Sequence, residues 1–233
     1  MKALKLGKRI FVITAHPDDE SYLAAGTLYL NAKAGGQNFL MCATLGEKGT
    51  SKLRRPKTLT QMKDLRKKEL TAVSKFLQVS KLYQLNYPDG NVQDCCSGWL
   101  PQAVKAVKRH KPDLLLGFGP DGISGHRDHQ AAHTIAKGVS KKLGLPLYMF
   151  TVPPRLRKNF YQWVKRRRAL GKYHTKDIKH GKAEYKVDVG PKIKFKALSF
   201  HKSQLDPRSP YHGFSHTAEK ELLAAEYFTL NKK

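Results

Sequence analysis

The sequence predicts an α/β fold: a Rossmann-like three-layer sandwich with a mainly parallel sheet and a C-terminal elaboration. Over the first 150 residues, short apolar and β-branched runs alternate with amphipathic stretches, the pattern of repeated β–α units. Chemistry-bearing residues stand directly after two of these runs, where open α/β sheets bind ligands beyond the carboxyl ends of their strands. At 233 residues and 40% apolar, the chain has the size of one substantial domain. The expectation is a single domain over residues 1–233, with an α/β core at 1–150 and a basic elaboration at 151–233.

Strands are expected at residues 9–15, 38–45, 81–86, 113–118 and 147–152, with helices at 21–34, 59–77, 100–110 and 128–143. In the second helix Leu65, Leu70, Val73, Phe76 and Leu77 recur every three or four residues, giving one buried face. Gly35-Gly36 can end the first helix, because glycine tolerates the left-handed cap conformation. Past Thr151 the pattern loosens. Val152-Pro153-Pro154 breaks the alternation, residues 155–170 read as a basic helix, 183–189 as a strand, 192–204 and 217–226 as helices, and 227–230 as a closing apolar stretch.

The chain carries 44 Lys and Arg against 18 Asp and Glu, a net charge of +26. Residues 1–150 and 151–233 each hold +13, so the last third carries half the excess. Such a field attracts polyanions or anionic substrates. No apolar run reaches the length that spans a bilayer, and neither a secretory signal nor a membrane anchor is indicated. Cys42, Cys95 and Cys96 form no C-x-x-C pair, which disfavours a cysteine zinc site and suits a reducing, cytoplasmic location.

Ala15-His16-Pro17-Asp18-Asp19-Glu20 puts an imidazole and three carboxylates at the end of the first expected strand. His16 and Asp19 are three apart, so one tight turn can bring both to a cation and leave Asp18 as a base. A helix start would explain the acids, with Pro17 at the first helical position, but not His16. Gly125-His126-Arg127-Asp128-His129 follows the strand at 113–118 after a glycine-containing loop. Clusters beyond the carboxyl ends of two parallel strands face one edge, and together they supply two histidines and a carboxylate for zinc.

These two clusters resemble the PIG-L/LmbE superfamily of zinc-dependent N-acetylglucosaminyl deacetylases. The resemblance extends to Thr44-Leu45-Gly46-Glu47-Lys48-Gly49, to Arg66 and Glu69, to Tyr87-Pro88-Asp89-Gly90, and to Ala197-Leu198 with His201-Lys202-Ser203-Gln204. It implies His16, Asp19 and His129 as metal ligands and Asp18 as general base for water activated by Zn2+ or another divalent metal. His126, as an imidazolium, would assist the oxyanion or protonate the leaving amine, with Asp128 holding its ring. Arg66 and Asp89 would contact the sugar. Arg127 departs from the pattern, standing where proline is common. The implied reaction is hydrolysis of the acetyl amide of a small N-acetylglucosaminyl-type conjugate, and the basic field suits an anionic one.

Other readings remain beside this one. The loop at 117–125 lacks a G-x-G-x-x-G fingerprint and a P-loop lysine, so flexibility around a metal pocket explains its glycines better than a phosphate cradle does. Glu47 either lines the pocket or pairs with a surface lysine; His201 either packs or meets a ligand. Trp163 beside the cations 165–168 suits a second function, binding nucleic acid or another polyanion through phosphate contacts and stacking, although such a run is more often a solvated face.

Overall fold

The computed structural model describes residues 1–53, 57–167, 178, 181–206 and 208–231. Its centre is an eight-stranded sheet of β1 (Lys2–Ala3), β2 (Arg9–Thr14), β3 (Gln37–Thr44), β4 (Val79–Tyr87), β5 (Leu114–Gly117), β6 (Leu147–Phe150), β7 (Tyr185–Asp188) and β8 (Ala225–Leu230), in the order β1-β7-β8-β6-β5-β2-β3-β4. Only β8 runs against the rest, pairing antiparallel with both β6 and β7. The expected, mainly parallel α/β sandwich is therefore present. Both β7 and β8, from the basic stretch after residue 150, join the same sheet.

The middle strands read as continuous apolar runs because helices cover them on both faces. Ile10, Phe11, Val12, Ile13, Leu40 and Leu115 are fully buried. Helices α1 (Asp19–Leu23), α2 (Ala25–Lys33) and α3 (Leu59–Phe76) connect strands that step outward from β2 to β4. Helices α4 (Cys96–His110) and α5 (Arg127–Leu143) lead back through β5 to β6. Right-handed crossovers in these opposite directions put the two groups on opposite faces. The strand order reverses between β2 and β5, which opens a crevice at their carboxyl ends.

The helix expected over 21–34 is two helices. Ala24 leaves helical geometry at φ −142°, and α2 begins afresh with the buried Glu226 carboxylate accepting the N–H groups of Gly26 and Thr27. Helix α4 starts at Cys96, ahead of the expected residue 100, after a short 3-10 turn at Val92–Cys95. Helix α6 (Pro154–Arg167) matches the expected basic helix, whose residues 168–170 lie outside the described residues. Helix α7 (Pro191–Leu198) stops short of the expected residue 204, and α8 (His216–Ala224) gives way to β8 earlier than expected. No described helix is long and apolar enough to cross a membrane.

Candidate metal centre and its surroundings

The β2 cluster and the cluster at the start of α5 meet across the β2/β5 crevice. His16 Nδ1 lies 3.1 Å from His129 Nε2, His129 Nε2 lies 3.3 Å from Asp19 Oδ1, and His16 Nδ1 lies 3.8 Å from Asp19 Oδ2. Atoms bound at about 2.0–2.2 Å to a tetrahedral zinc stand roughly 3.3–3.6 Å apart, so this donor set fits one cation. His16, His126 and His129 also form a group whose nitrogens could share a cation, and His16, Asp89 and Asp128 form a second.

The tautomers follow from the partners. His129 Nδ1 faces the Gly122 carbonyl at 3.0 Å, which can only accept, so Nδ1 carries the proton and Nε2 is left for a metal. His16 Nε2 faces Asp128 Oδ2 at 3.0 Å and Asp89 Oδ1 at 3.2 Å. Two carboxylates fix the His16 proton on Nε2 and free Nδ1 on the side of His129 and Asp19. Without a metal, burial opposes charge on His16, but hydrogen bonds to Asp128 and Asp89 and the Asp19 charge outweigh it and lift its pKa to about 10, so a cation at Nδ1 would displace a proton. Burial would also raise Asp19, yet the facing imidazoles and the His16 N–H hold its carboxyl well below the usual range.

Asp128 differs from its expected role. Its carboxylate goes to His16 and to the N–H groups of Gly90 and Val92, whereas its backbone N–H donates to His126 Nδ1 at 3.2 Å. His126 is thus the N-cap of α5 and, with Nδ1 accepting, carries its proton on Nε2. Burial, then the positive charge of His16, pushes His126 down to about 3. The expected imidazolium is therefore a neutral imidazole at neutral pH, and any cation in the cluster acts in the same direction.

Asp18 is the N-cap of α1, so Pro17 stands before the cap rather than at the first helical position. Burial raises the Asp18 carboxyl to about 6 against the opposing charge of Arg66, whose Nη2 lies 3.0 Å away. Arg66 also donates to the carbonyls of Gly46 and Pro17. Gly46 sits at φ +68°, and a Cβ there would fall 2.3 Å from Arg66 Nη1, so only glycine admits the guanidinium. Asp89 lines the same cavity, with its carboxylate engaged by His16 and by the Lys48 N–H.

Supporting residues lie behind these. Glu20 accepts from the Asp18 N–H, from Ser21 and from His201, whose Nε2 is 2.7 Å away. Burial disfavours its charge, but His201 and the hydrogen bonds keep it ionised. His201 is therefore hydrogen-bonded rather than facing a ligand. Glu69 accepts from both the N–H and the hydroxyl of Ser203. Glu47 accepts the Asp89 N–H and lies 3.9 Å from Lys63, so of its two expected roles it takes the lysine pairing and stands behind Asp89 rather than in the lining of the cavity at the cluster. The glycine loop is a buried turn rather than a flexible strap: residues 121–125 are all buried, and Asp121 Oδ1 accepts the Ile123 N–H.

Comparisons with known proteins identify the family of the chain. Residues 11–140 match the model of the PIG-L family, described as GlcNAc-PI de-N-acetylase. This chain belongs to the PIG-L family. A Bacillus anthracis protein named "Probable N-acetyl-alpha-D-glucosaminyl L-malate deacetylase 2" is 31% identical over 205 residues, covering 86% of this PIG-L chain and 83% of the relative. The N,N'-diacetylchitobiose deacetylase of Pyrococcus horikoshii superposes with TM-score 0.65 at 19% identity, over 96% of this chain and 84% of that one. The 4-carboxy-2-hydroxymuconate hydratase of Pseudomonas putida KT2440 superposes with TM-score 0.67 at 16% identity, over 100% and 97%. One fold thus carries a deacetylase and a hydratase, and the reaction has to be argued from the site.

Proposed function

We propose that this PIG-L member is a metal-dependent N-deacetylase that hydrolyses the acetyl amide of a small N-acetylglucosaminyl-type conjugate, with residues 1–233 acting as one domain in the cytoplasm. The observation that supports this most is the convergence of His16, Asp19 and His129 within 3.1–3.8 Å, beside an Asp18 carboxyl raised to about 6. The three are the ligands in this reading, and Zn2+ suits two imidazoles and a carboxylate. A divalent cation held there supplies Lewis acidity, acidifying a water and polarising the amide carbonyl.

The remaining chemistry belongs to the chain. Ionised Asp18 accepts the proton of the attacking water at its carboxylate and, with a pKa near neutrality, can return it to the departing amine nitrogen. Neutral His126 donates its Nε2 proton in a hydrogen bond to the oxygen that becomes negative. Asp128 and Asp89 hold His16 in its ligating orientation, and Arg66 holds Asp18. Asp89 and Arg66, with Lys52 and Gln204, also form a polar wall of the cavity suited to sugar hydroxyls.

The test is paired mutation with metal analysis on the same samples. Asp18→Ala keeps stoichiometric metal and loses deacetylation of N-acetylglucosamine conjugates. His16→Ala and His129→Ala lose metal. Full activity in the first variant, or full metal content in the other two, contradicts the assignment.

A further inference from the structure

The cavity at the metal cluster, about 440 Å³, exceeds the polar wall just described. Another part of its lining is apolar: Tyr22 from α1, with Val152, Phe160, Trp163, Tyr211 and Phe214 from the C-terminal elaboration. The five rings form a connected cluster, with Tyr22 and Tyr211 at 5.4 Å, Tyr211 and Phe214 at 6.0 Å, Trp163 and Phe214 at 5.5 Å, and Phe160 and Trp163 at 5.7 Å between centroids. Their polar tips are engaged by backbone. The Trp163 N–H donates to the His212 carbonyl at 3.2 Å, and the Tyr22 hydroxyl to the Pro210 carbonyl at 3.1 Å.

Charge in this wall is internally matched. Lys194 and Glu226 are both buried and line the cavity, 3.6 Å apart, with the Glu226 oxygens also taken by the start of α2. A sugar's hydroxyls find fewer partners against these ring faces than against the side of Arg66, Asp89, Lys52 and Gln204. Aromatic faces also suit cations, but a chain of net charge +26 repels a cationic ligand. An uncharged apolar group is what the wall fits.

We propose that the aromatic wall is a substrate subsite for an apolar group, an alkyl chain or an aromatic ring, covalently attached to the amide-bearing sugar. This rests on the deacetylase reading. The group can enter as the N-acyl chain or as the aglycone, and two substrate series separate these sources. One compares N-acetyl-, N-butyryl- and N-octanoylglucosamine. The other compares free N-acetylglucosamine with its phenyl and octyl glycosides.

Burial of each methylene is worth roughly fourfold, so kcat/KM rises about tenfold or more along the series whose apolar group occupies the wall. Val152→Phe, which fills the space, and Trp163→Leu, which opens the ring cluster, each bring the ratio of longest to shortest substrate back toward one. Because either variant can fail to fold, one that folds is sufficient. Hydrolysis of N-acetylglucosamine with flat ratios in both series overturns the subsite and leaves the deacetylase reading standing. If no N-acetyl sugar is hydrolysed, that reading fails, and quenching of tryptophan fluorescence still decides the subsite. Tighter binding of N-octanoylglucosamine or octyl N-acetylglucosaminide than of N-acetylglucosamine, by about tenfold, supports it; equal binding overturns it.

Discussion

Asp18 sits at φ 113°, a left-handed backbone conformation that an aspartate adopts at a cost of roughly 1–3 kcal/mol. The surrounding contacts impose it: the Asp18 N–H donates to Glu20, and its carboxylate meets Arg66. The strain aims a carboxyl of pKa about 6 at the cluster. Since only the ionised form accepts a proton, kcat/KM for deacetylation falls about tenfold per pH unit below the Asp18 midpoint, which a cation bound beside it moves below 6, and a pH profile of the metal-loaded wild type checks this. The folded pKa stands above the unfolded one, so this group's contribution to stability is present below about pH 4 and lost as pH rises through 6. Metal-free Asp18→Asn accordingly lacks that loss in denaturant titrations at pH 5 and pH 7. A second consequence concerns Gly46. Gly46→Ala drives a methyl into Arg66 and adds strain at a positive φ, so activity falls by tenfold or more, with metal content retained. The convergence of His16, Asp19 and His129 was legible from the sequence because each stands at a strand end beside a carboxylate or a second histidine. The partner of Asp128 was not, because residues 126–129 wind into one helical turn, and spacing alone does not say which imidazole its carboxylate reaches. The Glu20–His201 pair spans 181 positions and left no local signal.

At the scale of elements, the continuous helix expected over 21–34 fails for a tertiary reason. Its apolar residues recur at helical spacing across Ala24, but Glu226 on β8 reaches the Gly26 and Thr27 N–H groups and starts a new helix there. The same residue moves the start of β8 forward. The helix expected to end at 226 gives way at Ala225, so that Glu226 points into the interior, where Lys194 of α7 meets it. Burial lowers the Lys194 pKa while Glu226 opposes the shift. Removing one member of a buried pair leaves the other charge uncompensated, at about 3–5 kcal/mol. Glu226→Ala therefore lowers the unfolding free energy in urea by that order, and Glu226→Gln combined with Lys194→Met recovers part of it. The strands and the long amphipathic helices were readable because their periodicity is local, whereas a break capped from 200 positions away is not.

Across the whole molecule, charge is sorted by place. Seven of the 18 acidic residues, Asp18, Asp19, Glu20, Glu47, Glu69, Asp89 and Asp128, gather at the His16–Asp19–His129 cluster or in the residues that support it. The remaining surface is correspondingly more basic than the net charge of +26 alone conveys. The elaboration that carries half of this excess is built into the sheet through β7 and β8, and its Trp163 is turned onto Phe160, Phe214 and the His212 carbonyl. A base-stacking role for Trp163 beside the cations 165–168 therefore loses its stacking half; of that run, Lys165 is exposed and residue 168 lies outside the described residues. What the field retains is steering. On the proposed reading, a positive shell of this kind draws an anionic conjugate toward the mouth of the cavity. Long-range attraction acts on association and is screened over about 8 Å at physiological ionic strength. Raising salt from 20 to 500 mM, about a fivefold shortening of the screening length, thus lowers kcat/KM for a phosphorylated N-acetylglucosamine conjugate by tenfold or more and leaves a neutral conjugate nearly unchanged. Equal salt dependence for the two assigns the basic surface no part in substrate capture, and the excess charge is then a property of the solvated exterior alone.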